Sequence, residues 1–186
     1  SVLGHMMVVA VLSYFLLLHV DPCPRRAYNA FFAALFHDLP EVLTRDISSP
    51  VKNAVAGLDE LIKEYEKKEM EEKLLPLIPL AWQEEIRYFT EDEFSNRVIR
   101  HGRRETGLSF EDLCTDCNRD DLCPVDGELI RVCDHLAALV EACLSMRHGI
   151  TSRTLREARD TLTGKYAGRK LGTLDLGSLF GALAKK

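Results

Sequence analysis

Two long apolar segments lie near the start of the chain, and both have the length of helices. The first covers about residues 3–19 and is apolar on all sides, with only His5, Ser13 and His19 interrupting it. The second covers about residues 25–38 and is also apolar around most of its surface. Because helices that are hydrophobic all round are usually buried, we predict that these two helices form the core.

The first segment could also be considered as a membrane span. Its uninterrupted apolar parts cover only residues 6–12 and 14–18, which is short of the about 20 residues that a spanning helix needs. No positively charged residue precedes it, so we do not predict a secretory signal. We expect a helix buried on all sides in a cytoplasmic protein. The sequence begins inside this helix without an initiator Met, so we expect further N-terminal residues.

Helical patterns continue along the chain between loops that contain Pro and Gly. The segment 51–74 becomes rich in Glu and Lys, which predicts a solvated face. Further helices are predicted at residues 80–89, 128–147 and 154–166, and a loop with a short terminal segment from Gly168 onward. No strand pattern is evident. The predicted class is all-α, a helical bundle in one domain, with its core in about residues 1–150 and a C-terminal helix and tail in 151–186.

The composition fits a soluble domain with a sizeable core. Of 186 residues, 46% are hydrophobic and 28% are charged, and the formal net charge is −5. This charge argues against a general nucleic-acid-binding surface, since phosphate backbones attract basic proteins. At helical spacing some arginines of residues 97–104 would share one face, which leaves a small basic patch as a minor alternative. Cys114 and Cys117 have the spacing that begins some metal sites, but no matching second pair follows, which favours a plain loop.

Residues with acid, base or ligand chemistry follow the second apolar helix directly. His37 and Asp38 are adjacent, and Pro40 and Glu41 come next. Neighbouring residues on a helix point about 100° apart, so both can reach one ion only where the helix ends. Pro40 supplies that end because it disfavours helical geometry at the preceding residue. A metal site and a hydrogen-bonded pair both remain open on spacing alone.

A second candidate carboxylate, Asp134, lies on the helix predicted at residues 128–147. Its face is shared by Ile130, Ala137, Ala138 and Glu141. Small neighbours would let a metal ion or another helix come close, and a hydrogen bond to a backbone amide explains Asp134 equally well. His135 points about 100° away from Asp134, beside Arg131, and we do not predict it to be a ligand.

The order of these residues resembles the HD superfamily of metal-dependent phosphohydrolases, an all-helical family whose ligands follow the pattern H…HD…D. His5, the pair His37 and Asp38, and Asp134 occur in that order. The segment from His37 to Lys52 is similar to the bacterial 5′-deoxynucleotidase branch. That branch has HD, a Glu three residues later, an Asp five residues after that, and a Pro-Val-Lys ending. The resemblance covers roughly residues 2–149.

The resemblance implies one divalent transition metal per chain (Mn, Co, Zn, Ni or Fe). The implied ligands are His5, His37, Asp38 and Asp134. Glu41 and Asp46 are the implied catalytic acids, and Asp46 and Lys52 the residues that face a nucleotide substrate. The implied reaction releases phosphate from nucleoside 5′-monophosphates or similar small phosphomonoesters. The family also suggests a homodimer, and we expect no nucleic-acid or membrane partner.

Three features depart from the nucleotidase branch and leave the substrate open. Leu3 and Gly4 precede His5 where the branch has an acidic residue, the stretch between Asp46 and Asp134 is longer, and the preceding helix with its phosphate-binding Arg is not in this sequence. Two alternatives therefore remain. One is a non-catalytic HD-fold domain that binds a metal or nucleotide for regulation. The other is an HD hydrolase of nucleoside triphosphates or cyclic nucleotides.

Overall fold

The computed structural model describes residues 1–44 and 57–185. The α-helices of this part are α1 (Val2–Leu17), α2 (Pro24–Phe36), α3 (Glu41–Thr44), α4 (Leu58–Glu69), α5 (Leu80–Thr90), α6 (Phe110–Cys114), α7 (Gly127–Arg147), α8 (Arg153–Tyr166) and α9 (Leu176–Ala184). Two antiparallel hairpins join β1 (Arg97–Arg100) to β2 (Arg103–Thr106) and β3 (Lys170–Leu171) to β4 (Leu174–Asp175). The predicted all-α class is confirmed.

The core lies where α1, α2 and α7 pack together. The buried side chains of α2 at this contact are the small residues Ala30, Ala33 and Ala34. Those of α7 are larger and include Leu129, Ile130, Leu136 and Leu139. Small side chains let helices approach closely, and the larger ones fill the remaining space. This packing brings the start of α1 and the middle of α7 to the end of α2.

The start of α7 is fixed by a close contact between backbones. A Cβ atom on Gly127 would lie 2.4 Å from backbone atoms of Phe94 and Ser95, so only glycine permits this approach. The contact holds Phe94 beside the end of α2, with its ring 6.0 Å from that of His37.

A buried ion pair ties α2 to the residue that precedes α7. Arg26 donates to the Asp126 carboxylate from Nε over 2.9 Å and from Nη2 over 2.6 Å. Its Nη1 donates to the carbonyl of Leu113 over 2.6 Å. Both charged side chains are 0% exposed. The bidentate geometry and the extra carbonyl satisfy charges that would be very unfavourable alone in the interior.

We expect Asp126→Ala to lower the free energy of unfolding by about 3–5 kcal/mol, because it leaves the Arg26 guanidinium buried without its partner. Denaturant unfolding followed by circular dichroism would measure this. The matched control is Asp121→Ala, because Asp121 pairs with Arg119 on the surface and should contribute less than about 1 kcal/mol. Similar losses in both variants would contradict the assigned role of the buried pair.

The arginine-rich segment around His101 is a hairpin, and the expectations of a helical arginine face and of no strands were wrong. Arg100 pairs with Arg103 across a two-residue turn. His101 and Gly102 in that turn both have positive φ, 52° and 72°, as tight hairpin turns require. Arg97 is fully buried, so it adds nothing to a basic surface. Its guanidinium donates to the backbone carbonyls of Tyr88, Phe89, Asp92 and Ser95.

The chain after Gly168 is more ordered than expected. It forms the β3–β4 hairpin and α9, where a loop and a short terminal segment were predicted. Phe180 of α9 is fully buried and stacks on Tyr166 of α8, with ring centroids 4.1 Å apart. Contacts with α7 and α8 stabilise this segment, and short-range sequence patterns do not report such contacts.

Helix α1 is buried on one side only, so the prediction of burial on all sides was wrong. The outward side chains of α1, together with that of Leu18 directly after it, form an exposed apolar surface. We call it the α1 face, and it consists of Val2, Leu3, Met7, Val8, Val11, Tyr14, Phe15 and Leu18. The segment Val2–Val20 is long and apolar enough to cross a membrane, and 28% of it is buried inside the protein. Helices α2 and α7 cover the inner side, and the α1 face remains exposed because no other described element packs closely against it.

Candidate metal centre

His37 lies in the turn that follows α2, as Pro40 predicted. Its Nδ1 donates to the carbonyl oxygen of Ala34 over 2.7 Å. With that proton on Nδ1, the Nε2 lone pair is left free to bind. Nε2 is buried and has no hydrogen-bond partner. Asp38 Oδ1 is 3.2 Å from it, but the contact lacks hydrogen-bond geometry, so the nitrogen remains unsatisfied.

Three helices bring three ligand atoms together at this nitrogen. His5 of α1, His37 after α2 and Asp134 of α7 each contribute one atom, and these atoms lie within 4.8 Å of one another. His5 Nε2 is 2.9 Å from Asp134 Oδ1. Two imidazoles and a carboxylate suit divalent transition metals. An orphaned, buried imidazole nitrogen beside this set fits a bound cation better than a purely structural role.

Asp38 lies beside this group rather than within it. Its carboxylate approaches His37, while the group formed by the described residues consists of His5, His37 and Asp134. Asp38 therefore stays a predicted fourth ligand.

The electrostatics of the cluster follow from its short contacts. The hydrogen bond with Asp134 is the main cause that raises the pKa of His5 to about 9. Burial acts to lower the pKa of His37, but its contact with Asp38 raises it overall. Burial acts to raise the pKa of Asp134, but the hydrogen bond from His5 and the charge of His37 hold it below its usual value. The protonated imidazole of His5 thus brings a positive charge to the cluster at pH 7.

We expect metal uptake at pH 7 to release a proton from His5. A pKa of about 9 keeps this imidazole protonated at pH 7, whereas a metal needs the neutral form. The apparent affinity for Mn²⁺ should therefore rise with pH, by about tenfold per unit for each proton released, and level off above the pKa. Calorimetric titrations at pH 7 and 8, in buffers of different ionisation enthalpy, would count the protons. An affinity that does not change between these pH values would contradict this.

The cluster opens into a cavity of about 980 Å³, a volume typical of sites for small organic ligands. Glu41 lies on its wall at the start of α3, and its backbone N–H donates to the Asp38 carbonyl over 3.1 Å. Residues of α4 and of the loop after α5 also line it. Asp46 and Lys52, the other predicted catalytic and substrate-facing residues, lie outside the described residues.

Glu141 belongs to the site but was not predicted to act there. Its Oε1 is 3.2 Å from His5 Nδ1, so Glu141 and Asp134 contact the two nitrogens of the same imidazole. A carboxylate on the outer nitrogen of a ligating histidine orients the ring and makes it a better ligand. Sequence analysis placed Glu141 on the face of Asp134, but its pairing with His5 depends on how α1 packs against α7.

His135 also lines the cavity, whereas the sequence analysis considered it only as a metal ligand and did not predict it to be one. It is not one of the three clustered ligand residues. Its Nδ1 is 2.6 Å from the hydroxyl of Tyr166. Burial is the main cause that lowers its pKa, with the charge of Lys165 contributing. Tyr166 lies in α8, so no signal near residue 135 could have indicated this contact.

Cys114 and Cys117 both contact other side chains of the protein interior. Cys114 Sγ accepts a hydrogen bond from Arg26 over 3.5 Å, and Cys117 is buried in a small apolar cluster with Val98, Leu113 and Leu122. All six cysteines are free thiols. Packing and hydrogen bonding thus account for Cys114 and Cys117. The plain loop expected there was wrong, because Cys114 ends α6 and Cys117 is buried.

A family model described as "HD domain" matches residues 1–163 of this chain. The matched range includes α1 and α7, and therefore the whole cluster of His5, His37 and Asp134. No curated protein and no solved structure gives a significant match.

Proposed function

Because this chain belongs to the HD-domain family of metal-dependent phosphohydrolases, we propose that it releases phosphate from nucleoside 5′-monophosphates or similar small phosphomonoesters. The observation that carries the proposal is the orphaned, buried Nε2 of His37. It lies beside His5 and Asp134, at a cavity that can accommodate a nucleotide.

The proposed roles divide between holding a metal and handling the attacking water. His5, His37 and Asp134 would hold the divalent metal of the family, with Asp38 as the fourth ligand. A cation bound there would polarise a phosphoryl oxygen and acidify a water molecule. Glu41 borders the same cavity, and we assign to it the removal of a proton from the attacking water.

The charge of the cavity favours a substrate with few phosphates. Its lining contains more Asp and Glu than Lys and Arg residues; the Lys and Arg residues are Lys63, Lys67 and Arg87. Each of these cations is paired with a carboxylate, Lys67 with Glu91 over 3.1 Å for example. A triphosphate would bring several negative charges into this surrounding, and like charges repel strongly where water is partly excluded. A monophosphate meets less repulsion.

A phosphate-release screen tests this proposal. Deoxynucleoside and ribonucleoside 5′-monophosphates, nucleoside triphosphates and cyclic nucleotides would be supplied separately with Mn²⁺, Co²⁺ or Zn²⁺. We expect release from monophosphates. Turnover of triphosphates or cyclic nucleotides alone would replace the monophosphate assignment. A metal-loaded protein that hydrolyses none of them would favour the regulatory binding domain.

We also propose that two copies associate through the α1 face in the cytoplasm. The α1 face itself contains no Asp, Glu, Lys, Arg or His, so two copies of this face can meet without charge repulsion, and exposed apolar patches of this kind often mark interfaces. Free cysteines are usual in the reducing cytoplasm.

We expect the wild-type protein to sediment as a dimer and Phe15→Glu to sediment as a monomer. Trp82→Glu is the matched control, because Phe15 and Trp82 are both 62% exposed and Trp82 lies on α5, away from the α1 face. Analytical ultracentrifugation would compare all three proteins. A monomeric wild type, or a dimer unaffected by Phe15→Glu, would contradict the proposed contact.

A further inference from the structure

One histidine that lines the cavity, His135, has no role in the proposed reaction. His135 borders the cavity next to Asp134 on α7, while its Nδ1 turns away to the hydroxyl of Tyr166, 2.6 Å distant. Tyr166 is itself held firmly, because it is buried and stacks on Phe180. The His135 ring therefore has a fixed orientation, with Nδ1 engaged by Tyr166 and Nε2 outside that contact.

The contact with Tyr166 also determines which nitrogen of His135 carries a proton. A phenolic hydroxyl is a better donor than acceptor, so Tyr166 donates and Nδ1 accepts. In a neutral imidazole the proton then resides on Nε2. His135 thus has an N–H donor at Nε2 that the contact with Tyr166 does not use, whereas His37 presents a lone pair to the cluster. His135 can therefore donate a hydrogen bond to an electron-rich oxygen, whereas His37 can bind a cation.

Three exposed cations lie near this histidine and tyrosine, although they are not among the residues that line the cavity. The guanidinium of Arg131 lies 5.1 Å from the ring of Phe94, which lines the cavity. Lys165 Nζ and the Arg169 guanidinium lie 6.0 and 5.7 Å from the ring of Tyr166. Within residues 1–44 and 57–185, none of these three forms an ion pair with a carboxylate. Their charge is therefore available to an anion.

The lysines of α4 that line the cavity differ in this respect. Lys63 and Lys67 approach Glu93 and Glu91 at 3.8 and 3.1 Å. The α4 lysines therefore contribute no surplus of positive charge. The unpaired cations near His135 favour an anionic group on that side, which leaves α4 for the uncharged part of the same molecule.

We propose that His135, oriented by Tyr166, donates a hydrogen bond to the phosphoryl group of the substrate, and that Arg131, Lys165 and Arg169 attract this group to the same side. This inference rests on the proposed function, because it takes a phosphate monoester as the ligand. It adds a substrate-binding residue and an orientation: phosphate between the metal cluster and His135, and the nucleoside towards α4.

Binding of inorganic phosphate to the metal-loaded protein tests this without requiring turnover. In calorimetric titrations, His135→Leu should weaken phosphate binding about 10- to 100-fold, as expected for loss of a hydrogen bond to a charged group. Metal content should stay at the wild-type level. His135→Gln should restore most of the affinity, because its amide nitrogen can donate from a similar position. Tyr166→Phe retains the ring but removes the hydroxyl, so it should weaken binding by a smaller factor.

The cations are tested with the double variant Lys165→Gln and Arg169→Gln. It should bind phosphate more weakly at low salt and approach the wild-type affinity at high salt, because salt screens exposed charges. Arg153→Gln is the matched control, since Arg153 is also on α8 but pairs with Glu157 at the exposed start of the helix, and it should behave as wild type.

Several results would overturn the inference. They are unchanged phosphate binding by His135→Leu at full metal content, equal losses in His135→Leu and His135→Gln, or no phosphate binding by the metal-loaded wild type. The proposed function fails differently: a wild type that binds phosphate through His135 but hydrolyses no nucleotide would refute the enzyme and leave this subsite standing.

Discussion

His37→Ala is expected to lose the bound metal and the phosphohydrolase activity together. The imidazole Nε2 is the buried atom without a hydrogen-bond partner in the cluster, and its ring is locked by the bond from Nδ1 to the Ala34 carbonyl. Deleting it removes one ligand and opens a void next to Asp134. Elemental analysis and phosphate release from deoxynucleoside 5′-monophosphates would be measured on the same preparation.

His148→Ala is the matched control for this variant. His148 also places Nδ1 2.8 Å from a backbone carbonyl of the preceding turn, that of Leu144, but it is exposed. It should keep full metal content and activity, so an effect specific to His37 can be separated from the loss of a similar local hydrogen bond. A folded His37→Ala protein with wild-type metal content would show that this imidazole is not a ligand.

Glu41→Gln is expected to retain fold and metal but to lose about 10²–10⁴ in rate, because the amide cannot accept the proton of the attacking water. Glu41 is near Asp38 at the start of α3 and lines the cavity. The change preserves size and shape, so stability and metal content should be those of the wild type. Single-turnover phosphate release and elemental analysis would separate chemistry from metal binding.

Glu157→Gln provides the comparison, because Glu157 is a surface residue that pairs with Arg153 and takes no part in the cavity. It should turn over at the wild-type rate. A Glu41→Gln enzyme with that same rate would refute the role of general base, and one that also lacked metal would show that Glu41 supports the metal centre instead.

The parts of the site that could be predicted from residues alone are local ones. Pro40 correctly predicted the turn that ends α2 and carries His37 and Asp38, because proline acts on its immediate neighbours. His5 and Asp134 are 129 residues apart, and it was their order in a family pattern, not their spacing, that connected them. The family is confirmed, while the 5′-deoxynucleotidase branch stays a prediction.

The parts that could not be predicted depend on tertiary packing. Glu141 reaches His5 only because α1 lies against α7, and His135 is oriented by Tyr166 from a different helix. The hairpin at Arg100 and Arg103 has strands of only four residues, too short for an alternating pattern to be evident. The α1 face was expected to be buried because its composition is apolar, yet composition does not reveal which neighbours are present to cover it.

The central claim is that the cluster of His5, His37 and Asp134 makes this chain a metal-dependent phosphomonoesterase. The most direct test is a titration of metal-free protein with Mn²⁺, Co²⁺ or Zn²⁺, with phosphate release from deoxynucleoside 5′-monophosphates followed at each point. The account predicts no release without metal and a rise that saturates near one equivalent per chain. Absence of release from every monophosphate at saturating levels of all three metals would contradict it.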